Sequence, residues 1–517
     1  MKYGTRTPAL RWMSLVLCFC LHPAADSLAQ SDNTQISGYV RDISGAAVPQ
    51  VKIVVSREGS LFERSASSNE AGYYILAGLP PGLYSVSAER SGFKRHRTEH
   101  RKLDPSIAAT QDILLQIGEV SETVLVEASA SAFQAESATV GKLIERRQLD
   151  QLQLNGRNPV FLALLKPGVS GPNPMNVFSY DTRTNGSLFI NGARAKDTLV
   201  TYDGAVGIRT RAGSFLVGVA DVDAVQEVQV LTANYSAEYG RSAGGQIRVV
   251  TRSGTRDFHG NFYDYFRNSA LDANSWSRNS ATTSASRPCA QYPQDAPCRP
   301  APFHYNQFGY NLSGPVTLPF LNFNRERSKL FWLWSQEWVR HRQTTTVSMT
   351  VPSLPMTQGD FSELLDPANR FFGRARAITD PLTGKAFPGN IIPANRLSPS
   401  GAGLLKAYPD PTAGYIGPGS ANYYQEGPNW ANQRKDTLSV DYNPAAQHSS
   451  RWRAQPNHFS NYSWKRNSVD MVPWGLRINN QTTSLGWTWA FSAQAVNELL
   501  VTGSRDQVHD YLEHLEG

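Results

Sequence analysis

The sequence is short of the features that mark several large protein classes. It has four cysteines in 517 residues, which excludes a disulfide-dense secreted scaffold. Charged residues make up only 18%, and the formal charge of +7 comes from arginines scattered through turns. No helical stripe of Lys and Arg concentrates that charge, so a nucleic-acid interface is not expected. Beyond the N-terminus no apolar run approaches the ~20 residues that a membrane-crossing helix needs. The Ala/Glu/Lys/Leu bias of helical proteins is missing as well. There is no G-x-S-x-G elbow and no credible cluster of metal ligands, so hydrolase chemistry, a metal site and a cofactor site are all unsupported.

What is present is turn chemistry and aromatic bulk: 40 Gly, 31 Pro, 22 Phe, 21 Tyr and 11 Trp. That mixture points to a mainly β protein of several units, with many short strands and long loops. The mean hydropathy of −0.39 resembles that of a soluble protein. A transmembrane β-barrel averages the same way, because every second residue faces a polar interior.

The N-terminus has Lys2, Arg6 and Arg11 ahead of the apolar run Trp12 to Leu21, with Ser27-Leu28-Ala29 as a small-residue cleavage site. Residues 1–29 are therefore expected to be a secretory signal peptide. Cys18 and Cys20 would leave with it. Cys289 and Cys298 then remain, flanking a Pro-rich segment, and an oxidising compartment is expected to join them. A metal there would need further ligands, and only His304 is near.

From Ile36 to Leu115 short strands alternate with turns, as in a small β-sandwich. Strands are expected at Ile36–Val40, Val51–Val55, Gly72–Ile75 and Leu83–Ala88, with another opening after Phe93. Gly72-Tyr73 and the run Leu79 to Tyr84 resemble the carboxypeptidase regulatory-like domain, a transthyretin-like, non-catalytic module of carbohydrate-binding-like fold. His96-Arg-Thr-Glu-His100 fits a metalloprotease pattern. On a strand, however, His96 and His100 would share one face and Glu99 the other, without the helix that such chemistry needs. A solvated polar strand edge is the better expectation.

A second unit follows. Glu122 to Ala128 is extended and β-branched, a helix-like stretch runs through Gln151, and Asn155-Gly-Arg-Asn-Pro159 makes a turn. Asn191-Gly192 and Asp203-Gly204 supply further turn chemistry. Strands are expected within Val222–Val230 and Gly244–Thr251. The ordered elements Asn155, Gly156, Arg157; Asn191, Gly192; Asp203, Gly204; Tyr239, Gly240; Gly244, Gly245 resemble the plug of TonB-dependent outer-membrane receptors, of the Oar-like branch that also carries the N-terminal sandwich. The resemblance spans about residues 34 to 500. It implies a TonB box at Glu122, Thr123, Val124, Leu125, Val126, Glu127 and Ala128, where an extended strand can add to the sheet edge of a periplasmic transducer. The same segment also reads simply as the sandwich's last strand or a linker.

After Thr255 the pattern becomes period two with large apolar residues on one face. Phe308, Tyr310 and Leu312 alternate with Gln307, Gly309, Asn311 and Ser313, and Leu485, Trp487, Trp489 and Phe491 alternate with small or polar residues. A wall facing lipid requires this, so outer-membrane lipid is an expected partner. In Lys329 to Arg340 Phe331 and Leu333 fill the inner face too, as they would if it met a plug. Arg342 to Trp430 reads as one long structureless outer loop. The tail from Asp506 no longer alternates, and strands are expected to end near Ser504.

The expected organisation is thus signal peptide 1–29, β-sandwich 34–117, α/β plug 122–254 and, over 255–517, the N-terminal strands of an incomplete antiparallel transmembrane β-barrel. Large plugged barrels close with about 22 strands, and six or seven candidates are legible, so a C-terminally truncated product is expected. The resemblance implies a receptor in a Gram-negative outer membrane, partnered by a TonB-type periplasmic transducer. It would move an extracellular ligand (siderophore, carbohydrate, peptide or protein) by energised transport. The alternative is an adhesin or glycan- or protein-binding β-protein without transport; no enzyme is expected.

Overall fold

The computed structural model describes residues 33–512, apart from 106–107, 120–122, 128–139, 153, 172–187, 210–215, 218–219, 236–238, 275–298, 319–322, 414–420, 465–473 and 493–494. Residues 1–32, with the expected signal peptide, and Cys289 and Cys298 lie outside the described residues, as do Glu122 and Ala128.

The first unit has nine strands: β1 Thr34–Asp42, β2 Lys52–Arg57, β3 Glu63–Ser67, β4 Tyr73–Leu79, β5 Gly82–Glu89, β6 Arg95–Leu103, β7 Ala109–Thr110, β8 Ile113–Leu115 and β9 Thr123–Glu127. One sheet runs β4-β1-β7, with β8 also on β1; the other runs β3-β2-β5-β6-β9. Alternation does the work: Ile53, Val55, Val86 and Ala88 point inward against Ile36, Val40, Tyr74 and Leu76 and form one closed core. Tyr84 is fully buried, and its hydroxyl donates to the Pro80 carbonyl at 2.6 Å, pinning the turn ahead of β5.

The His-x-x-Glu-His segment lies on β6, as a strand reading requires. A register irregularity in the β5–β6 ladder and a positive φ of 57° at His100 break the alternation. His96 is consequently buried and His100 exposed, where it meets Glu58 at 3.0 Å. The expectation that both histidines share a face is corrected; the bulge separates them.

The plug region contains β10 Val140–Glu145, α1 Arg146–Gln151, β11 Val169–Ser170, β12 Phe189–Ile190, β13 Thr198–Tyr202, β14 Ala205–Val206, β15 Val225–Ala233 and β16 Gly245–Thr251. Its main sheet is ordered β10-β15-β16-β13-β14, with β13 and β16 parallel. Glu145 is the helix's N-cap, sharing a capping box with Gln148, and the residues directly before it, Val140–Glu145, are strand. Apolar residues from β10, β13, β15 and β16 pack with Val160, Phe161 and Leu162 of the short helical segment Pro159–Leu165.

Among the described residues seven long antiparallel strands follow: β17 His259–Asn268, β18 Phe303–Pro315, β19 Leu330–Met349, β20 Tyr423–Tyr442, β21 His448–Ser463, β22 Trp474–Ala490 and β23 Val496–Leu512. They pair in sequence order, and among the described residues β17 and β23 are the sheet's two edges, so the wall is open. Asp506 to Leu512 continues the ladder with β22; strand pairing overrides the loss of alternation that suggested an earlier end. The outer segment is likewise shorter than expected, since β19 and β20 pair as far as Met349 and Tyr423. It is also folded: the buried side chain of Asn390 accepts from Ile378 N at 3.0 Å and donates to Arg376 O at 2.7 Å.

The short connections 316–329, 443–447 and 491–495 lie at one end of the wall, with the sandwich beside them: Leu61 N reaches Ser328 O and Glu63 N reaches Ala446 O. The long connections lie at the other. Short turns inside and long loops outside are the polarity of an outer-membrane wall.

Removing the Tyr84 hydroxyl (Tyr84→Phe) leaves the Pro80 carbonyl unpaired and is expected to destabilise the sandwich by about 1–3 kcal/mol. Faster amide exchange confined to β2 and β5 would show this; unchanged exchange would rule out the anchor.

Candidate functional site

Along the wall, successive residues point alternately toward the plug and away from it. The register places Gly309, Glu337, Lys435, Asn457 and Asn480 in one inward row. Gln307, Asn311 and Ser313 are buried on that face while Phe308, Tyr310 and Leu312 look outward, as their alternation predicts. Phe331 and Leu333 are also inward and buried. An inward polar face without bulk water must find partners, and the plug supplies them.

The densest contact centres on Arg157. This residue takes a left-handed φ of 53°, directly after Gly156. Its guanidinium lies 2.7 Å from Asp223, 3.5 Å from Asp221 and 3.1 Å from Glu337 of β19. It also stacks over the Tyr263 ring at 4.4 Å, and the Tyr263 hydroxyl donates to Glu337 at 3.0 Å. On its other oxygen Glu337 meets Lys435 Nζ at 2.7 Å, and both side chains are 0% exposed. Ser335 donates to Asp221 from the wall. Two cations thus face three carboxylates across the plug–wall junction.

The electrostatics follow from that geometry. Burial works against the charge on Arg157, yet Glu337, Asp223 and Asp221 together hold its pKa above the ordinary value. Asp221 is pushed up to about 6, first by burial and then by Glu337 and Asp223, against the pull of Arg157 and Ser335.

A second bridge uses Asp203, at φ 47° in the turn with Gly204. Its carboxylate accepts from Thr251 N and Oγ1, both at 2.9 Å, and from Gln455 of β21 at 2.8 Å. Gln455 in turn accepts from Thr482 of β22 at 2.5 Å. Further out, Gln307 donates to Gly156 O at 3.4 Å and Asn480 to Leu216 O at 3.3 Å.

Other expected plug residues act within the plug. Asn191 donates to Thr232 O at 3.0 Å from the turn with Gly192. Tyr239 lies under Arg248, whose guanidinium donates to its hydroxyl at 3.1 Å, and Gly240 O accepts from Gln246 at 3.3 Å. A Cβ on Gly244 would come within 2.7 Å of Ala193 Cβ, and one on Gly245 within 2.7 Å of Leu231 O. Asn155 opens the same short helical turn as Gly156 and Arg157. Asp221, Asp223, Glu337 and Lys435 were not foreseen. Their signal was legible only for the wall pair, as charges at positions whose parity points inward.

Thr123 to Glu127 forms β9, parallel to β6 from Arg95↔Thr123 to Glu99↔Glu127. The segment expected to open the plug region is therefore the outer strand of a sandwich sheet, away from the Arg157 cluster. The Pro-rich cysteine segment lies outside the described residues.

Arg157→Ala would leave buried carboxylates uncompensated, at about 3–5 kcal/mol; release of the plug from the wall at lower urea, read by proteolysis between β16 and β17, checks this. Because Asp221 holds its proton more tightly folded than unfolded, its contribution is present below pH ~4 and is lost as pH rises through about 6. The plug–wall contact should therefore weaken across that window, and Asp221→Asn should flatten this part of the profile.

Three family models match the chain: a carboxypeptidase regulatory-like domain over residues 35–116, a TonB-dependent receptor plug domain over 135–246 and an outer membrane beta barrel domain over 250–514. The TonB-dependent transporter Oar of Myxococcus xanthus is 28% identical over 249 residues, which cover 46% of this chain and 22% of that protein. Among solved structures, the outer membrane transporter YddB of Escherichia coli aligns at 10% identity and a TM-score of 0.42, over 72% of this chain and 40% of its own. The ferric yersiniabactin uptake receptor FyuA of Yersinia pestis aligns at 12% and 0.32, over 74% and 51%. The chain thus spans about a fifth of the length of the curated relative that it matches. With a plug sheet docked by buried ion pairs on the inner face of an outer-membrane β-wall, and a regulatory-like sandwich at its N-terminus, the chain belongs to the TonB-dependent receptor family of the outer membrane.

Proposed function

We propose that this chain supplies the ligand-gated, energy-coupled part of an uptake receptor. Glu122 to Ala128 would be the strand that a TonB-type periplasmic transducer engages. The observation that carries this reading is the chemistry of the plug's attachment. Among the described residues the junction is held mainly by hydrogen bonds and ion pairs, from Arg157, Asp203, Gln307 and Asn480, with one cation–π stack of Arg157 on Tyr263. Polar contacts can be exchanged for water, so a plug held this way can be displaced and re-seated. An apolar junction of the same size would resist wetting.

In this reading the outer segment 350–422 meets the extracellular ligand, a siderophore, carbohydrate, peptide or protein. Pulling on the coupling strand would then disturb the Asp203 and Arg157 bridges and open a path along the wall. Residues 1–29 direct export, and Cys289 and Cys298 staple an outer connection. In this reading the working units are 34–117, 122–254 and 255–517, with the strand β9 lent to the sandwich sheet through β6. The protein acts by binding and movement and is not an enzyme. β9 is an open-edged partner of β6, and a transducer strand would compete for its hydrogen bonds by adding to a sheet edge.

Deleting residues 122–128 is expected to abolish retention of the full chain by the purified C-terminal domain of a TonB-type transducer and to abolish energised uptake, while ligand binding to intact cells survives. If uptake persists after the deletion, the coupling role is wrong. If binding alone occurs in every variant and uptake in none, the chain is an adhesin.

A further inference from the structure

The outward face of the wall changes character along its length. Toward the short turns it is apolar, with Trp332, Trp334, Trp452 and Leu485 presented to the membrane. Toward the long connections it becomes basic. The register sets Arg340 of β19 in one row with Asn432, Ser460, Arg477 and His509 of the next four strands. Arg434 and His458 lie in the adjacent row on the apolar side, and Arg342 in the row beyond. Four arginines and two histidines therefore share one continuous outward surface over five strands. The span from β19 to β22 is about 14 Å at ~4.8 Å per strand.

These cations are braced but hardly neutralised. Arg342 donates to His341 O at 2.8 Å and Asn432 Oδ1 at 2.9 Å, and lies over the Trp430 ring at 5.5 Å. Arg477 lies over Tyr511 at 5.1 Å, and Arg340 donates to Val339 O at 3.1 Å. Among the described residues only Arg434 has a carboxylate in this belt, Asp436 at 3.0 Å. Between Arg340, Arg434, His458 and Arg477 the surface dips into a groove of about 370 Å³.

We propose that this belt binds the phosphate groups of phosphorylated lipids in the outer leaflet. It rests on the reading of β17–β23 as a membrane wall. Arginine on a lipid-facing surface is costly at the bilayer midplane and nearly free at the interface, so such a row marks headgroup level. The guanidinium fork matches phosphate oxygens in a way that a solvated surface does not require. Arg340, Arg434, His458 and Arg477 of the groove's lining all sit at outward positions, and Arg434 shares its row with Trp338 of the aromatic surface, so a lipid beside the wall can present its phosphate to them. A soluble ligand for the receptor would instead approach over the ends of the strands.

The test uses the full chain in zwitterionic detergent, titrated with bis-phosphorylated lipid A and with the same glycolipid after removal of its phosphates, with bound lipid counted by native mass spectrometry. The phosphorylated lipid should bind more tightly, and Arg340→Gln, Arg342→Gln and Arg477→Gln together should weaken it at least roughly tenfold. Arg370→Gln with Arg374→Gln, exposed in the outer segment, should change nothing, and millimolar inorganic phosphate should not displace the lipid. Arg477→Gln alone, altering one exposed side chain, should give a partial loss and serves if the triple variant misfolds. Equal binding of the two lipids, an equal loss in the outer-segment control, or displacement by inorganic phosphate would each overturn the belt. Failure of the unaltered chain to partition into uncharged phosphatidylcholine vesicles would overturn the membrane wall itself, and the belt with it; partition without phosphate preference overturns the belt alone.

Discussion

The structure depends on one buried ion pair, Glu337 with Lys435, and on the arginine that the plug brings to it. A carboxylate and an ammonium with no exposed surface at all cannot be left to themselves in a sheet whose other face meets hydrocarbon. Arg157 completes their partnership from the plug, and Asp221 and Asp223 complete that of Arg157. Wall and plug therefore share one buried charge cluster, joined across the junction by Arg157 with Glu337 and by Ser335 with Asp221. The remaining cross-junction bonds, from Asp203 to Gln455 and from Gln307 to Gly156, extend the same logic over the inner face.

That dependence suits a part that must move. Ion pairs and hydrogen bonds lose little when water replaces the partner, provided that water can reach them. The plug keeps its own apolar core of Ile144, Val228, Val230 and Ile247, which stays intact while its surface contacts exchange. Cohesion within the plug is hydrophobic and its attachment is polar, which allows it to shift as a body. The sandwich is attached in the same manner, through Lys102 with Glu145 and main-chain bonds to the wall's short turns. The open edges at β17 and β23 mark the other limit of the structure.

Local rules were enough to read the strands and the turns. Asn191-Gly192 and Asp203-Gly204 take positive φ at both residues, as their composition dictates. Alternation in Gln307 to Ser313 named the inner and outer faces, and Phe331 with Leu333 announced a packed neighbour. Where local rules failed, pairing had overridden them. Strand β3 was not anticipated, since Glu63–Ser67 has little β propensity and is held by β2. The tail after Asp506 is a strand because β22 templates it, and His100 leaves the face of His96 because of a bulge that no periodicity encodes.

The sequence by itself determined the β class and which residues of the wall alternate between its inner and outer faces. Each of these follows from spacing along a single segment. Only the tertiary structure decided that Arg157 meets Glu337 and Lys435, that Asp203 is a bridge rather than merely a turn, and that Thr123–Glu127 lies along β6. It likewise brought arginines from separate strands into one outward belt. Those outcomes depend on which segments become neighbours across hundreds of residues, set by sheet register and by the need of buried charge for a partner.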